Sequence, residues 1–208
     1  MNDPTHIPEL DLVVGSLIST RPDEDYAMFN QERATVSELQ RHLQAASIEI
    51  DLLAQPGTQI WEGSIDSVGA LYQLCRLATR LEQDDDITPV LEDGPIIYED
   101  DLDRAVTDVW DALRPTRFPH LVHLPGFGSY YLPIDFAQPV VVPIRNEQGE
   151  QDEAFIGSSV QLQRELTELA TRLQQAGVST HTSAYRCLTV LRTAAEQSLN
   201  FDLPIIFW

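Results

Sequence analysis

Carboxylates are the side chains that this sequence concentrates most densely. Residues 81–111, "LEQDDDITPVLEDGPIIYEDDLDRAVTDVWD", hold twelve acids and one base, Arg104, for a net charge of −11. Carboxylates at this density can bind a cation, attract a basic protein or simply face solvent. The first question is therefore which of these three kinds of surface the stretch forms.

The spacing of these acids does not fit a calcium loop. Such a loop needs ligands at alternating positions, a glycine at its sixth residue and a glutamate at its twelfth. Counting from Glu99 places Arg104 at the glycine position, and counting from Asp84 places Pro89 there. The closing glutamate is also out of register in both. We predict no metal site here, and no cofactor motif was found elsewhere.

The whole chain is strongly acidic. Its 33 acids and 13 bases give a net charge of −20, and all the bases are arginines. Such a field repels phosphates and anionic lipids, so we expect neither nucleic acid nor a membrane as a partner, whereas a basic protein would be attracted. A genome or habitat bias could also produce this composition, since lysine is absent. As the surface for a basic partner we predict six aspartates and one aromatic anchor: Asp84, Asp85, Asp86, Asp100, Asp101, Asp103 and Tyr98.

An enzyme with a dispersed site is the alternative hypothesis. It would use His120 and His123 of "HLVH" with Asp135 of "YYLPIDF". We interpret "HLVH" as a strand, which puts the two histidines on opposite faces and argues against a shared metal. "FIGSS" lacks the second glycine of a nucleophile elbow, and Ser158 fits a helix cap better.

Apolar residues at spacings of three and four predict about five helices. The first runs from Val36 to about Ala46, and residues 47–53 fit a helix or a strand. The second has Ser64 as its N-cap and reaches Leu81, where "DDDITPVLEDGP" forms a loop. A third starts at Asp100 or Asp101 and ends near Leu113. The last two follow Ser158, ending at Gly177, and Thr182 or Ser183, ending at Asn200.

Strands are predicted at both ends of the chain and in its proline-rich middle. "LDLVVGSLIS" is a strand broken by Gly15, and the segment from Pro115 to Pro143 forms short strands that its prolines confine to edges or bulges. "NEQGEQDE" closes a hairpin between "VVVPIR" and "AFIG". "LPIIFW" docks as a final strand or as a plug in the core, and a partner or dimer interface is the alternative for it. We therefore predict one α+β domain over residues 1–208, with the helices packed on a small, mainly antiparallel sheet.

A non-enzymatic binding module is the function that these features favour. No apolar run approaches the roughly 20 residues of a membrane span, and the N-terminus lacks a leader pattern, so we expect a bacterial cytoplasmic protein. It would neutralise a basic partner, as immunity proteins do. The sequence does not give the oligomeric state.

Overall fold

The computed structural model describes residues 9–93, 102–123, 128–145 and 151–208. These residues form seven helices and six strands, which confirms the predicted α+β class. The elements are, in chain order, β1 (Leu10–Gly15), α1 (Tyr26–Ala45), β2 (Gln59–Ile65), α2 (Val68–Glu82), α3 (Thr88–Asp93), α4 (Arg104–Trp110), α5 (Pro119–Val122), β3 (Tyr130–Leu132), β4 (Val140–Arg145), β5 (Gln151–Ser158), α6 (Ser159–Gln175), α7 (Ser183–Phe201) and β6 (Ile205–Phe207).

The chain folds into two compact units. The first unit is built from Met1–Asp11, Gly63–Leu124 and Leu162–Thr193 and contains α2 to α5 with most of α6. The second unit is built from Leu12–Glu62, Pro125–Gln161 and Ala194–Trp208. It contains α1 and most of the sheet.

The six strands form one mixed sheet in the order β2-β1-β6-β3-β5-β4. Strand β6 pairs antiparallel with β1 on one side and with β3 on the other, and β3 runs parallel to β5. The predicted final strand "LPIIFW" is thereby confirmed. It supplies the middle of the sheet, where Phe207 is buried.

Strands β4 and β5 form the predicted hairpin. Val140 lies opposite Ile156, and the register continues to Arg145 opposite Gln151. Strand β4 is at the edge of the sheet and contains Pro143, which has no N–H to donate to a further strand. The prediction that prolines occupy edge strands is therefore confirmed for β4.

The core of the second unit lies between α1 and the sheet. Val36, Leu39 and Leu43 of α1 are buried in one cluster with Leu132 and Ile156 of the strands. Helix α1 begins at Tyr26, earlier than predicted, because the Asp25 carboxylate accepts the N–H groups of Ala27 and Met28. Residues 47–53, for which helix and strand were both open, form neither.

Helix α2 is the core of the first unit. Every residue from Gly69 to Thr79 is buried. Cys75 and Cys187 are both buried free thiols, which pack as small hydrophobic residues. The helix begins at Ser67, whose hydroxyl accepts the N–H of Ala70. The expected cap, Ser64, lies instead in β2, a strand that was not predicted.

Five helices end in the same way. A residue one or two positions after each helix adopts positive φ, and the next N–H donates to a carbonyl five residues back, as in the Schellman motif. The left-handed residues are Ser47, Asp84, Ala112, Gly177 and Asp202. The stop at Gly177 is confirmed, whereas α7 continues past the predicted stop at Asn200.

Three other boundaries differ from the predictions. "DDDITPVLED" is not all loop, because Thr88–Asp93 forms α3. Helix α4 begins after Asp103, and it ends at Trp110, which leaves Leu113 exposed. "HLVH" is not a strand, because three of its residues belong to α5.

Candidate partner-binding surface

The most acidic described segment joins the end of α2 to the end of α3. Residues 81–93 contain six acids and no base. Asp84, Asp85 and Asp86 are exposed, as are Glu92 and Asp93 at the end of α3. We call Asp84, Asp85, Asp86 and Glu92 the acidic surface. Within the described parts of the chain, none of these four carboxylates belongs to an ion pair.

The backbone around the three aspartates is fixed by local hydrogen bonds. Asp84 has a φ of 56°, a left-handed conformation that aspartate tolerates better than most residues. The N–H of Asp85 donates to the carbonyl of Arg80 at 3.0 Å, which closes α2. The carboxylate of Asp86 accepts the N–H of Thr88 at 2.9 Å at the start of α3. This hydrogen bond holds the pKa of Asp86 below its usual value.

Arg80 connects these aspartates to the interior. Its Nη1 donates to the backbone carbonyl of Asp86 at 3.0 Å, and its Nε donates to Asp103 at 2.7 Å. The hydrogen bond that Arg80 donates to Asp103 in turn raises the pKa of Arg80, so the guanidinium stays charged. One arginine side chain therefore fixes the backbone beside the acidic surface.

Asp103 is a buried residue, in contrast to the expectation that it contributes to the charged surface. Its side chain is 4% exposed. It caps α4 by accepting the N–H of Ala105 at 3.0 Å, and it accepts Nε–H donors from Arg76 and Arg80. Burial disfavours its ionisation, but these hydrogen bonds outweigh that effect and lower its pKa.

Arg76 completes an ionic network of two arginines and two aspartates: Arg76 and Asp103 are buried, Arg80 is partly buried and Asp93 is exposed. Its Nε is 3.1 Å from Asp103, and its Nη2 is 3.2 Å from Asp93. Its Nη1 is buried and has no hydrogen-bond partner among the described residues. Because α2 carries Arg76, α3 carries Asp93 and α4 starts after Asp103, the network joins all three helices. The sequence patterns gave no sign of this role for Arg76 and Arg80.

A cavity of about 360 Å³ lies beside this network. Its lining mixes charges of both signs: Arg80, Gln83, Asp85, Asp103, Arg104, Ala105, Asp108 and Arg114. Arg114 donates to Gln83, and Arg104 pairs with Asp108 across one turn of α4. The three aspartates and three arginines of the lining balance in charge, and the cavity shares Asp85 with the acidic surface.

Glu165 is a buried acid that the sequence reasoning missed. Its carboxylate oxygens accept the N–H groups of His120 and Leu121 at 3.1 and 3.0 Å, at the start of α5. Burial raises the pKa of Glu165 to about 8, although these two hydrogen bonds act in the opposite direction. The available signal was its position between Leu162 and Leu166, on the apolar face of α6.

The residues of the enzyme hypothesis are divided between the two units. His120 and His123 flank Leu121 and Val122 at α5 in the first unit, and burial lowers the pKa of His123. Asp135 is an exposed residue of the second unit and accepts a hydrogen bond from Gln161 at 2.6 Å. Since α5 is a helix, the two histidines are on one face and not on opposite faces as expected. Among the described residues, no cluster of three or more histidine, cysteine or acidic side chains could hold a metal ion.

Three residues of the predicted surface fall outside the described part of the chain. These are Tyr98, Asp100 and Asp101. Of the four that are described, Asp84, Asp85 and Asp86 are exposed side by side. Asp103 is connected to them through Arg80, whose guanidinium donates both to the Asp103 carboxylate and to the backbone carbonyl of Asp86.

Two comparisons gave no match and one gave a nearly full-length match. No curated protein and no solved structure matches this chain. None of the helices in the described residues combines the length and apolar composition that a bilayer crossing needs. A family model described as "Putative DNA-mimic protein" matches residues 8–207.

This match overturns the expectation that nucleic acid plays no part in the interactions of the protein. Repulsion between negative charges disfavours DNA only as a ligand of this chain. The same negative charges that repel phosphates can also imitate them, because a DNA-binding protein recognises phosphates largely by their charge. A basic protein partner is compatible with this correction. Since the match covers almost all of its 208 residues, the chain belongs to the DNA-mimic family that this model describes.

Proposed function

We propose that this protein is a non-enzymatic DNA mimic that occupies the DNA-binding surface of a basic protein. The match to the DNA-mimic family over residues 8–207 carries the proposal. The net charge of −20 supports it, because a DNA-binding surface attracts negative charge in proportion to its own positive charge. The site of action would be the bacterial cytoplasm, where DNA-binding proteins work.

We further propose that the acidic surface takes the place of the phosphates. Its carboxylates are exposed and free of ion pairs among the described residues, so their charge is available to a partner. Local hydrogen bonds and the Arg80 contact fix the backbone that carries Asp84, Asp85 and Asp86. Charges that are already in place lose less conformational entropy on binding. Asp100 and Asp101 would extend this surface, with Tyr98 as an aromatic anchor.

The immunity-type function expected from the sequence is a narrower form of this proposal. A nuclease toxin is a basic DNA-binding protein, and an acidic mimic would block its substrate site. A toxin gene beside the gene for this chain would support that form. A neighbouring gene for a DNA-binding regulator or DNA-packaging protein would favour the broader one.

A competition assay tests the proposal. A fluorescent duplex is bound to each of several purified basic DNA-binding proteins, and this chain is added at about 50 and 200 mM salt. We expect it to displace the duplex from at least one of them, and to do so less effectively at the higher salt because screening weakens charge attraction. Displacement from none of them at low salt would contradict DNA mimicry.

Charge variants test the location of the surface. Asp84→Asn, Asp85→Asn and Asp86→Asn are combined, because asparagine tolerates positive φ and can cap a helix. The matched control combines Asp23→Asn, Glu24→Gln and Asp25→Asn, which removes the same three charges before α1. We expect the first variant to weaken displacement about tenfold and the control by much less. Equal losses would assign the effect to net charge alone.

A further inference from the structure

Strand β2 is an edge of the sheet, since β1 is its one neighbour among the described strands. Its seven residues, Gln59–Ile65, include no proline, and Gln59 to Glu62 belong to the second unit. The opposite edge strand, β4, contains Pro143, whose missing N–H makes that edge a poor template for pairing. An uninterrupted edge can pair with a further strand. Of the two edges, β2 is therefore the better template.

The direction of the backbone groups of β2 follows from one hydrogen bond. The carbonyl of Thr58 accepts the N–H of Ser16 at 2.8 Å, so the backbone of Thr58 faces β1. Successive residues of a strand direct their N–H and C=O groups to alternate sides. Gln59 and Trp61 therefore direct theirs away from β1, toward the outer side of the sheet. A strand laid along this edge would form hydrogen bonds with both residues.

The side chains of this edge combine one acid with two apolar groups. Ile60 and Trp61 are half-buried, and Glu62 is exposed. Because side chains alternate along a strand, Ile60 and Glu62 lie on one face of the sheet and Trp61 lies on the other. Glu62 accepts a hydrogen bond from the side chain of Gln59 at 3.1 Å. One face of the edge therefore offers a negative charge, and the other offers an aromatic ring.

The stretch of chain that contains β2 is acidic. Residues 42–75 hold four acids and neither arginine nor lysine. One of the four, Asp66, pairs with Arg186, whereas the other three belong to no ion pair within the part of the chain that the structure describes. A cationic segment that approaches β2 is therefore attracted by charges that are not already neutralised.

We propose that the outer edge of β2 binds an extended cationic peptide, which adds to the sheet as a further strand. The peptide backbone bonds to Gln59 and Trp61, as in other cases of strand addition. A basic side chain lies beside Glu62, and an apolar side chain or an arginine packs on Trp61. The occupant is thus a segment in which basic and apolar residues alternate. This inference does not depend on the proposed function, which was placed on the acids between α2 and α3.

A cationic peptide fits this edge better than β2 of a second copy of the chain. Pairing two copies of β2 would bring their acids together, and each copy has a net charge of −20. Like charges across an interface are strongly unfavourable when they lose water. A peptide with basic side chains meets no such obstacle.

Two synthetic peptides test this inference with the full chain. The first alternates arginine and valine, carries a fluorophore and is about six residues long, a typical strand length. The matched control has the same sequence with every backbone amide N-methylated, which keeps its charges and removes its N–H donors. Fluorescence anisotropy measures both affinities. Amide hydrogen exchange, followed by NMR with and without peptide, locates the bound strand.

We expect the first peptide to bind at least about tenfold more tightly than its N-methylated control. The amides of Gln59 and Trp61 should exchange more slowly in its presence. Glu62→Gln should weaken binding about three- to fivefold, as for one cross-strand ion pair. Glu38→Gln removes the same charge from the exposed face of α1 and should change the affinity less than about twofold.

Four results would overturn this inference. Equal affinities of the two peptides would show that charge alone attracts them. Protection of the amides of β4 in place of those of β2 would show that the peptide adds to the opposite edge. Failure of the first peptide to bind would exclude strand addition of this kind. A dimer of the chain alone, with the amides of Gln59 and Trp61 already protected, would show that a second copy occupies the edge.

Discussion

Arg80 donates its Nε–H to the Oδ2 of Asp103 at 2.7 Å. The other end of the same guanidinium holds the backbone of Asp86. A buried aspartate and an exposed one therefore share one arginine, so the position of the exposed charges depends on an interior ion pair. This relationship makes Asp103 a positioning residue for the acidic surface, although it is not part of that surface.

Asp103→Asn should destabilise the protein by about 3 kcal/mol, because it leaves the buried Arg76 and the partly buried Arg80 without their shared carboxylate. Urea unfolding at neutral pH measures the change. Asp108→Asn is the matched control, since it removes a pair with the exposed Arg104 on α4 and should change stability by less than about 0.5 kcal/mol. Equal losses in the two variants would show that the buried network adds nothing.

The pH dependence of Asp103 has a definite direction. Its folded pKa is lowered, so its contribution to stability is present above the ordinary aspartate pKa of 3.8. That contribution is lost as the pH falls below this value. The unfolding free energy of the unchanged chain should therefore fall more steeply with acid than that of Asp103→Asn.

Glu165 should give the opposite pH dependence. Burial raises its folded pKa to about 8, against 4.5 for an ordinary glutamate, so the folded protein binds a proton between these values that the unfolded chain has released. Stability should decrease by a few kcal/mol as the pH rises through this window. Glu165→Gln should reduce the slope, and Glu196→Gln, which replaces an exposed glutamate of α7, is the matched control. An unchanged slope in Glu165→Gln would exclude a neutral carboxyl at this site.

Gly157→Ala should destabilise the sheet by about 1–3 kcal/mol. A Cβ at this position would lie 2.4 Å from two ring atoms of Tyr131, its neighbour on β3. Tyr131 cannot move away easily, because it is fully buried between the rings of Phe155 and Phe207. Thermal unfolding measures the loss, and Tyr131→Leu should relieve part of it. A loss that persists undiminished with Tyr131→Leu would exclude the steric cause.

Removing charge from the acidic surface should raise the melting temperature at low salt. Asp84, Asp85 and Asp86 repel one another in an already negative protein. Replacing all three with asparagine relieves this repulsion. The gain should shrink from about 10 mM to about 1 M salt, since the screening length falls from roughly 30 to 3 Å. A lower melting temperature at both salt concentrations would instead mean that these side chains stabilise the helix ends.

The long helices and the docking of β6 could be predicted because their signals are local, whereas the central position of β6 in the sheet could not. The leucines of α6 recur on one face, and the apolar "LPIIFW" could not remain exposed. In contrast, β2 is half-exposed and its "QIWEGSI" has no clear alternation. Helix α5 is only four residues long, which is too short for a helical period to be visible.

The candidate surface was only partly predictable for a different reason. The density of acids around Asp84 is visible in the sequence, but the burial of Asp103 is not. Its environment depends on Arg76 and Arg80, which are 27 and 23 residues earlier in the chain. Glu165 likewise acquires its role from the backbone of His120, 45 residues away. Such contacts follow from the tertiary structure and leave no periodic pattern.

The central position of β6 has a consequence for folding. Strand β6, which follows the other five described strands in the chain, separates β1 from β3, so until it is synthesised this sheet consists of two parts with unpaired inner edges. The pairing of Leu12 with Phe207 closes a loop of nearly the whole chain, and contacts this distant in sequence slow folding. A nascent chain that lacks residues 205–207 would expose two strand edges whose unpaired N–H and C=O groups can pair with other chains. Such a chain should depend on chaperones to avoid aggregation.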